Sequence, residues 1–360
     1  MTRPAHTIGL FVFGEPPESF MPPRRTRAML AEASLQGADL VLFSTAGCDE
    51  AGGRVEARRW RNGGLETARV PLPPLVVILS NPIREEHHRI GAWIRANTAV
   101  IEDHGPDKLD QVRFLAASPL SAHAIPAERL DPDDAGAQLA GWAARHGGIV
   151  VKPVDGMRGG NVHFLVPGTG GDWSLRTGRA AIAGALPELI ATLRSRVAGR
   201  LRYRDFMVQR YVRWAFRDCA LTIRVDVVRR PEGGWRGTPV RARLGVTGSL
   251  ATNTAAGSAQ MFLERFLAFA GRDAAIADRA EALAVRTASL VAAAPGAAMI
   301  EAGVDLALGE DDRLSIIEVN VRPEANWAEQ DRAANVIAYL ISRVERAPGA
   351  GAGGLEEARE

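Results

Sequence analysis

Residues 149–166, IVVKPVDGMRGGNVHFLV, place Lys152 beside Pro153 at the end of an apolar run and follow it with a turn holding Gly156, Gly159 and Gly160. Glycines let backbone amides approach an anion closely, and a lysine on the preceding strand gives the same group a fixed positive charge. The pattern is neither a Walker GxxxxGK[ST] loop nor a GxGxxG turn opening a helix. Phosphate binding is one reading, and an ordinary hairpin with a lysine at its rim is the other. Nearer the C-terminus, residues 316–323 read IIEVNVRP. Glu318 and Asn320 stand two apart and therefore share one side of a strand. Both offer hard oxygen atoms that can hold Mg²⁺ while leaving its other positions to water and phosphate. Asp305, an acidic residue inside the apolar run AGVDLAL, can add a second carboxylate to that face. Taken singly, each of these residues is also explained by a strand-end salt bridge.

A third cluster spans residues 222–245, with Arg224 inside an apolar strand and Arg241 and Arg243 on what should be the paired strand. Alternate positions share a face, so Arg241 and Arg243 can point together at an anionic intermediate. Solvated strand arginines are the alternative. Asn253 and Gly257, in ATNTAAGSAQ, lie before a helix expected from Ser258, where they can hold phosphate or cap the helix. His87 and His88 sit among charges and read as surface residues. Asp103, His104 and Asp107 read as a turn before a helix with Lys108 in its first turn. GxSxG and HExxH are absent.

The elements that must position these residues follow from hydrophobic period. A strand at 8–13, a helix at 24–36 ending near Gly37 and a strand at 39–44 make a parallel βαβ unit. GRVEARRWRNGGLETARV reads as a β-hairpin turning at Asn62-Gly63, and the apolar run 75–79 closes an α/β lobe over residues 1–105. Residues 106–205 read as α+β, with a helix after Pro106, strands at 148–153 and 162–166, and a helix from Pro187. Residues 206–345 form a second α+β segment. Its strands are expected at 206–211, 220–230, from Trp235, at 302–308 and at 314–319. The small and charged residues 346–360 are expected to be disordered.

A chain of 360 residues suits two or three packed subdomains and hence a cleft between lobes. With 46% apolar and 24% charged residues it has the balance of a globular protein. A net charge of +2 gives no argument for nucleic acid, which calls for a concentrated basic face. Cys48 and Cys219 stand far apart without a CxxC or Cys/His cluster, which disfavours a disulfide framework or structural zinc and suits a reducing cytoplasm. The first apolar run is too short for a signal peptide and no later run reaches membrane length, so neither export nor a membrane span is expected.

Taken in order, Lys108, VVKP with its glycine-rich loop, VQRYV, the arginine-bearing strands, Asp305 and the ExN pair resemble the ATP-grasp superfamily over roughly residues 100–345. More narrowly, PDKLDQVRFLAASPL, TIRVDVV, GGWRGTPVRARLG, ATNTAAG, GVDLAL and IIEVNVRP resemble its endospore coat-associated YheC/YheD-like branch. The resemblance implies an ATP-grasp fold of the glutathione synthetase type, with an N-terminal α/β pre-ATP-grasp lobe followed by two α+β subdomains that clamp ATP. It implies that Lys108 and Lys152 contact phosphates. Residues 155–161, with Asp155, Gly156, Gly159 and Gly160, would form a lid. Gln209, Arg210, Tyr211 and Val212 would pass the adenine through backbone hydrogen bonds, and Asn253 would lie beside the phosphates. Asp305, Glu318 and Asn320 would hold Mg²⁺, as two ions that Mn²⁺ can replace. Arg243, with Arg224 and Arg241, would bind an acyl phosphate or a substrate carboxylate.

The sequence departs from the branch at Thr222, where aspartate is usual, at the hinge Gln209-Arg210-Tyr211, and at Met157 and Arg158 in the lid. The implied activity is ADP-forming ligation of a carboxylate to an amine through an acyl phosphate. Its substrates would be small molecules or peptides, with no nucleic acid or membrane partner, and a homodimer is a reasonable expectation. A phosphotransferase using the same site and a non-catalytic nucleotide-binding structural or regulatory protein remain open. Arg24, Arg25 and Arg27 either help select substrates or form a solvated helix face.

Overall fold

Residues 38–44, ADLVLFS, are buried at every position, as a strand covered on both faces must be. This is β2 (Ala38–Ser44), and it runs parallel to β1 (His6–Val12). The computed structural model describes residues 6–156, 160–213, 215–217, 219–252, 257–323 and 328–346. Between β1 and β2 come α1 (Pro17–Phe20) and α2 (Pro23–Leu35). The hairpin of β4 (Arg54–Arg61) and β5 (Gly64–Pro71) follows β3 (Cys48–Asp49), and it turns at Asn62 and Gly63 with φ of 51° and 82°. Two positive φ values are what a two-residue turn matched to strand twist requires. The parallel part of the sheet is completed by β6 (Leu75–Ile78), α3 (Glu85–Asn97) and β7 (Ala99–Glu102), giving the order β3-β4-β2-β1-β6-β7.

The expected histidine surface pair divides. His88 is exposed, whereas His87 is buried in α3, where its Nδ1 accepts from the backbone amides of Ile83 (3.2 Å) and Arg84 (3.4 Å). Its ring also stacks on Phe13, which explains why a polar side chain is held inside.

The second sheet is antiparallel, in the order β12-β11-β10-β9-β13-β8. Its members are β8 (Ala127–Arg129), β9 (Ile149–Pro153), β10 (His163–Pro167), β11 (Trp173–Thr177), β12 (Ala180–Gly184) and β13 (Phe206–Arg210). Ahead of it lies α4 (Lys108–Ala116), and its strands are interleaved with α5 (Ala135–His146) and α6 (Leu186–Leu201). Alternation sorts its two faces. Ile149, Val151, Leu165, Phe206 and Val208 pack with Leu139, Leu189 and Leu193 of the helices, while Val150, Lys152, Phe164, Met207 and Gln209 face the other way.

The third sheet runs β18-β17-β15-β19-β20. Here β15 (Cys219–Arg229) is central, with β14 (Ala215–Phe216) and β16 (Trp235–Gly237) pairing to it. Beside it lie β17 (Arg241–Leu244), β18 (Ala259–Phe262), β19 (Glu301–Leu308) and β20 (Leu314–Val321). Ile223, Val225, Val227, Val304, Leu306, Ile316 and Val319 bury one face under α7 (Leu263–Ala270) and α8 (Ala275–Val291). The helix expected from Ser258 begins five residues later, at Leu263. Residues 259–262 pair with β17 as an edge strand before it.

The last helix, α9 (Glu329–Glu345), returns to the first sheet, where Val336, Ile337 and Leu340 pack with Ile8, Leu10 and Ala33. Arg25 is part of this junction and not of a solvated face. It donates to the Pro323 carbonyl and lies 3.5 Å from both Glu301 and Glu329, while Arg24 and Arg27 are exposed. Arg332 closes the lattice at 2.7 Å from each of the same two glutamates. Asp103 is likewise more than a turn residue. It is buried, accepts from Ile300 N at 2.9 Å, and burial together with the nearby Glu301 pushes its carboxyl up to about 7. Among the described residues no helix is long and apolar enough to cross a membrane.

Candidate active site

The polar faces of the second and third sheets meet across a cleft. Lys152 reaches it from β9 because it alternates with Val151, which lies in the core on the pleat's opposite face. Lys108 reaches it from α4, whose start is fixed by Asp107, the side chain of which accepts from Leu109 N (2.9 Å) and Asp110 N (2.8 Å). From the third sheet come Glu318 and Asn320. A bulge in the β19–β20 register directs Ile317 and Glu318 to the same side in succession, since Asp305 pairs with Glu318 and Leu306 with Ile316. Extra residues of this kind re-aim side chains beside functional sites.

Glu318 joins the two sheets. Its Oε2 lies 3.3 Å from Lys108 Nζ and 3.5 Å from Lys152 Nζ, and Asn320 donates to Oε1 at 3.2 Å. Burial alone would raise the Glu318 carboxyl, but the two ammonium groups hold it down at about 2. Burial and the charge of Lys108 lower Lys152, against the opposing pull of Glu318. Lys108 also donates to the Gly156 carbonyl, tying α4 to the glycine-rich turn.

Asp305 is held from several directions. Arg224 grips it bidentately, Nε to Oδ1 at 2.7 Å and Nη2 to Oδ2 at 2.9 Å, while Arg243 approaches at 3.3 Å and Asn320 donates at 2.9 Å. Arg224 also contacts Asp226 at 3.3 Å, and Arg241 is ion-paired to the same carboxylate. Gly303 leaves the space for the Arg224 guanidinium, which a Cβ at that position would strike. Among the described residues, Lys108, Lys152, Arg224, Arg241 and Arg243 are ion-paired in this network with Glu318, Asp305 and Asp226. The surplus is cationic. Arg243 Nε, moreover, is buried without a hydrogen-bond partner among the described residues.

Of the candidate residues, Lys108, Lys152, Gly156, Gly160, Gln209, Arg243, Asp305 and Glu318 line one cleft, and Asn320 touches two of them. Arg224 and Arg241 do not line it. They share the sheet face of Arg243 but are engaged with Asp305 and Asp226 beside the cleft. Asp155 is exposed and paired with Arg204 at 2.6 Å. Arg210 N and Tyr211 N are already bonded, to Pro126 O (3.0 Å) and Gly148 O (2.9 Å), while Val212 packs beside Ala220, Ala307 and Ile317. Gly159, Asn253, Met157 and Arg158 lie outside the described residues.

Sequence reasoning missed Asp226, Gly303, Ile317, Leu250 and Thr252. Asp226 carried a signal, because Thr222, Arg224 and Asp226 alternate through LTIRVDVV and so share a face. Thr222 itself lines the cleft, with its hydroxyl 2.7 Å from that of Thr252. The remaining wall is apolar, formed by Val150, Val162, Phe164, Leu250 and Ile317. An apolar slot leading to clustered cations suits a base joined to phosphates. The oxygens of Glu318, Asn320 and Asp305 are of the hard type that magnesium takes.

A family model described as YheC/D like ATP-grasp matches residues 97–344. A search of curated proteins returns no match. Among solved structures, the D-alanyl-alanine synthetase A of Vibrio cholerae O1 biovar eltor str. N16961 superposes with a TM-score of 0.57 at 13% identity, covering 95% of this chain and 98% of that one. The D-alanine-D-alanine ligase of Coxiella burnetii gives 0.52 at 11% identity, covering 95% of each chain. D-cycloserine synthetase DcsG gives 0.52 at 16% identity, covering 94% of this chain and 99% of that one. At these identities the likeness is one of fold.

Proposed function

The chain belongs to the YheC/D-like ATP-grasp family, and from that membership we propose that it is an ATP-dependent, ADP-forming ligase that joins a carboxylate to an amine through an acyl phosphate. One observation carries the reading: Lys108, Lys152 and Arg243 stand against Asp305 and Glu318 in a cleft whose remaining wall is apolar. Such a surplus is costly to keep in a partly dry cleft unless an anion joins it. A nucleoside triphosphate supplies both the anion and an apolar base.

Lys108 and Lys152 share the carboxylate of Glu318 and have further N–H donors to offer to phosphate oxygens. Glu318, Asn320 and Asp305 would hold magnesium, which when bound offsets charge on the transferring phosphoryl group. Arg243, whose Nε has no partner among the described residues, binds the substrate carboxylate and then the acyl phosphate. Arg224 and Arg241 act as positioning residues. Arg224 orients Asp305, and Asp226 fixes both arginines. The carboxylate attacks the γ-phosphorus, ADP leaves, and the amine displaces phosphate with loss of a proton. The lobes would divide near residues 105 and 205, with α9 returned to the first.

An ADP-release screen over pooled carboxylates and amines, with mass analysis of the consumed components, tests this. Glu318→Ala is expected to stay folded and lose substrate-dependent ADP release. Undiminished turnover in that variant would remove the metal assignment. A final product that keeps the phosphate would make the enzyme a phosphotransferase.

A further inference from the structure

We propose that the outer edge of β5 is a self-association surface, at which two copies of this chain join as antiparallel strands about a two-fold axis at Thr67. No residue of β5 lines the cleft, so the proposal does not depend on the nucleotide reading.

The hairpin fixes which backbone groups of β5 are free. Its two-residue turn at Asn62 and Gly63 makes Arg61 and Gly64 the first hydrogen-bonded pair, and such pairs recur at alternate positions along the ladder. Leu72 N, which donates to Gly53 O at 3.1 Å, falls on the same alternation at the far end. Gly64, Glu66, Ala68 and Val70 therefore turn their N–H and C=O groups toward β4. Those of Leu65, Thr67 and Arg69 turn outward, where β5 pairs with no other strand among the described residues. Thr67 and Arg69 are exposed. Arg69 O takes a long bond from the exposed side chain of Arg54 (3.4 Å), which an incoming amide would replace.

An edge of this kind is a template for a further strand, and proteins that avoid pairing shorten it, bulge it or set proline and charge along it. β5 does little of this. It runs eight residues in unbroken one-to-one register with β4, with Pro71 at its very end. Of the three residues facing outward, Arg69 alone is charged, and its guanidinium is ion-paired to Asp49.

The free groups are also arranged for a copy of themselves. Leu65 and Arg69 stand equally far on either side of Thr67, so a second chain laid antiparallel with Thr67 opposite Thr67 pairs Leu65 with Arg69 twice and uses every free N–H and C=O. Neighbouring registers are worse. One centred on Glu66 would set two carboxylates opposite each other, and one centred on Ala68 would set Leu65 against Pro71, which has no N–H. The favoured register also lays the Arg69 stem of each copy near Trp60, which pairs with Leu65 and is 41% exposed. Because the same edge serves both chains, the contact closes at a dimer.

Sedimentation velocity of the wild-type chain over about a hundredfold range of concentration is expected to show a monomer–dimer equilibrium. Thr67→Pro removes an N–H that β4 does not use and should spare the hairpin, while weakening the dimer by roughly 5- to 150-fold for its two lost hydrogen bonds. A short thiol cross-linker reads the register separately. Thr67→Cys sets two thiols on Cα atoms about 5.5 Å apart and should give covalent dimer. Asn62→Cys, roughly 33 Å from its counterpart, should give no more than the wild-type chain, which carries Cys48 and Cys219. The cross-linking decides the matter should the proline variant fail to fold. A monomeric wild type, a dimer of unchanged strength in folded Thr67→Pro, or cross-linking no better at position 67 than at position 62 would overturn the inference.

Discussion

Replacing Asp103 with asparagine should make the protein more stable at neutral and alkaline pH, and the gain can be sized from its surroundings. Asp103 is 4% exposed, faces Glu301 and has its carboxyl pushed from 3.8 up to about 7, chiefly by burial. A raised folded-state value means that the native protein keeps a proton which the unfolded chain releases. The stabilisation is fully present below the unfolded value near 4 and is lost as pH rises through about 7. Three pH units at about 1.4 kcal/mol each give a loss on the order of 4 kcal/mol. Asparagine retains an oxygen to accept from Ile300 N and cannot ionise. Urea unfolding midpoints of wild type and Asp103→Asn, followed from pH 4.5 to 8.5, should start together and diverge upward for the variant. Parallel profiles would refute the reasoning, because they would mean that Asp103 titrates at an ordinary value despite its burial.

Other expectations concern the charged network at the cleft. Gly303→Ala drives a Cβ into the Arg224 guanidinium and should cost about 1–3 kcal/mol in denaturant unfolding while lowering ADP release, through displacement of the Arg224–Asp305 pair. Asp226→Ala leaves Arg224 and Arg241 without a buried counter-charge and should cost about 3–5 kcal/mol, with Asp226→Asn intermediate in the same unfolding assay. Glu318, held at about 2, should remain charged until well below the ordinary carboxylate range. Its contribution to stability is present above the unfolded value of 4.5 and falls away as pH drops through about 2, which a Glu318→Gln comparison in acid unfolding would detect.

The sequence made the site legible where strand alternation was enough. Glu318 and Asn320 face one way because they are two apart, and the apolar run ending at Lys152 does deliver that lysine to a cleft. What lay hidden depended on pairing between distant segments. Arg224 and Arg241 looked like ligand-binding arginines, but Arg224 is set against Asp305 across the β15–β19 pairing, and Asp226 takes up Arg241. The bulge that presents Ile317 beside Glu318 exists only in the register of β19 with β20. Similarly, Arg25 on an apparently ordinary helix is drawn inward by Glu301, Glu329 and the Pro323 carbonyl, none of them near it in sequence. His87 followed the same logic locally, since its role at the start of α3 needed a helix that the surrounding charges had concealed.

Calorimetric titration with ATP in the presence of Mg²⁺, on the wild-type chain and on Lys152→Ala, addresses the convergence of both lysines and the acidic strand on one nucleotide. A single site per chain that is lost or severely weakened in the variant is expected. ATP binding of unchanged affinity in Lys152→Ala, or no binding by the wild type, would contradict it.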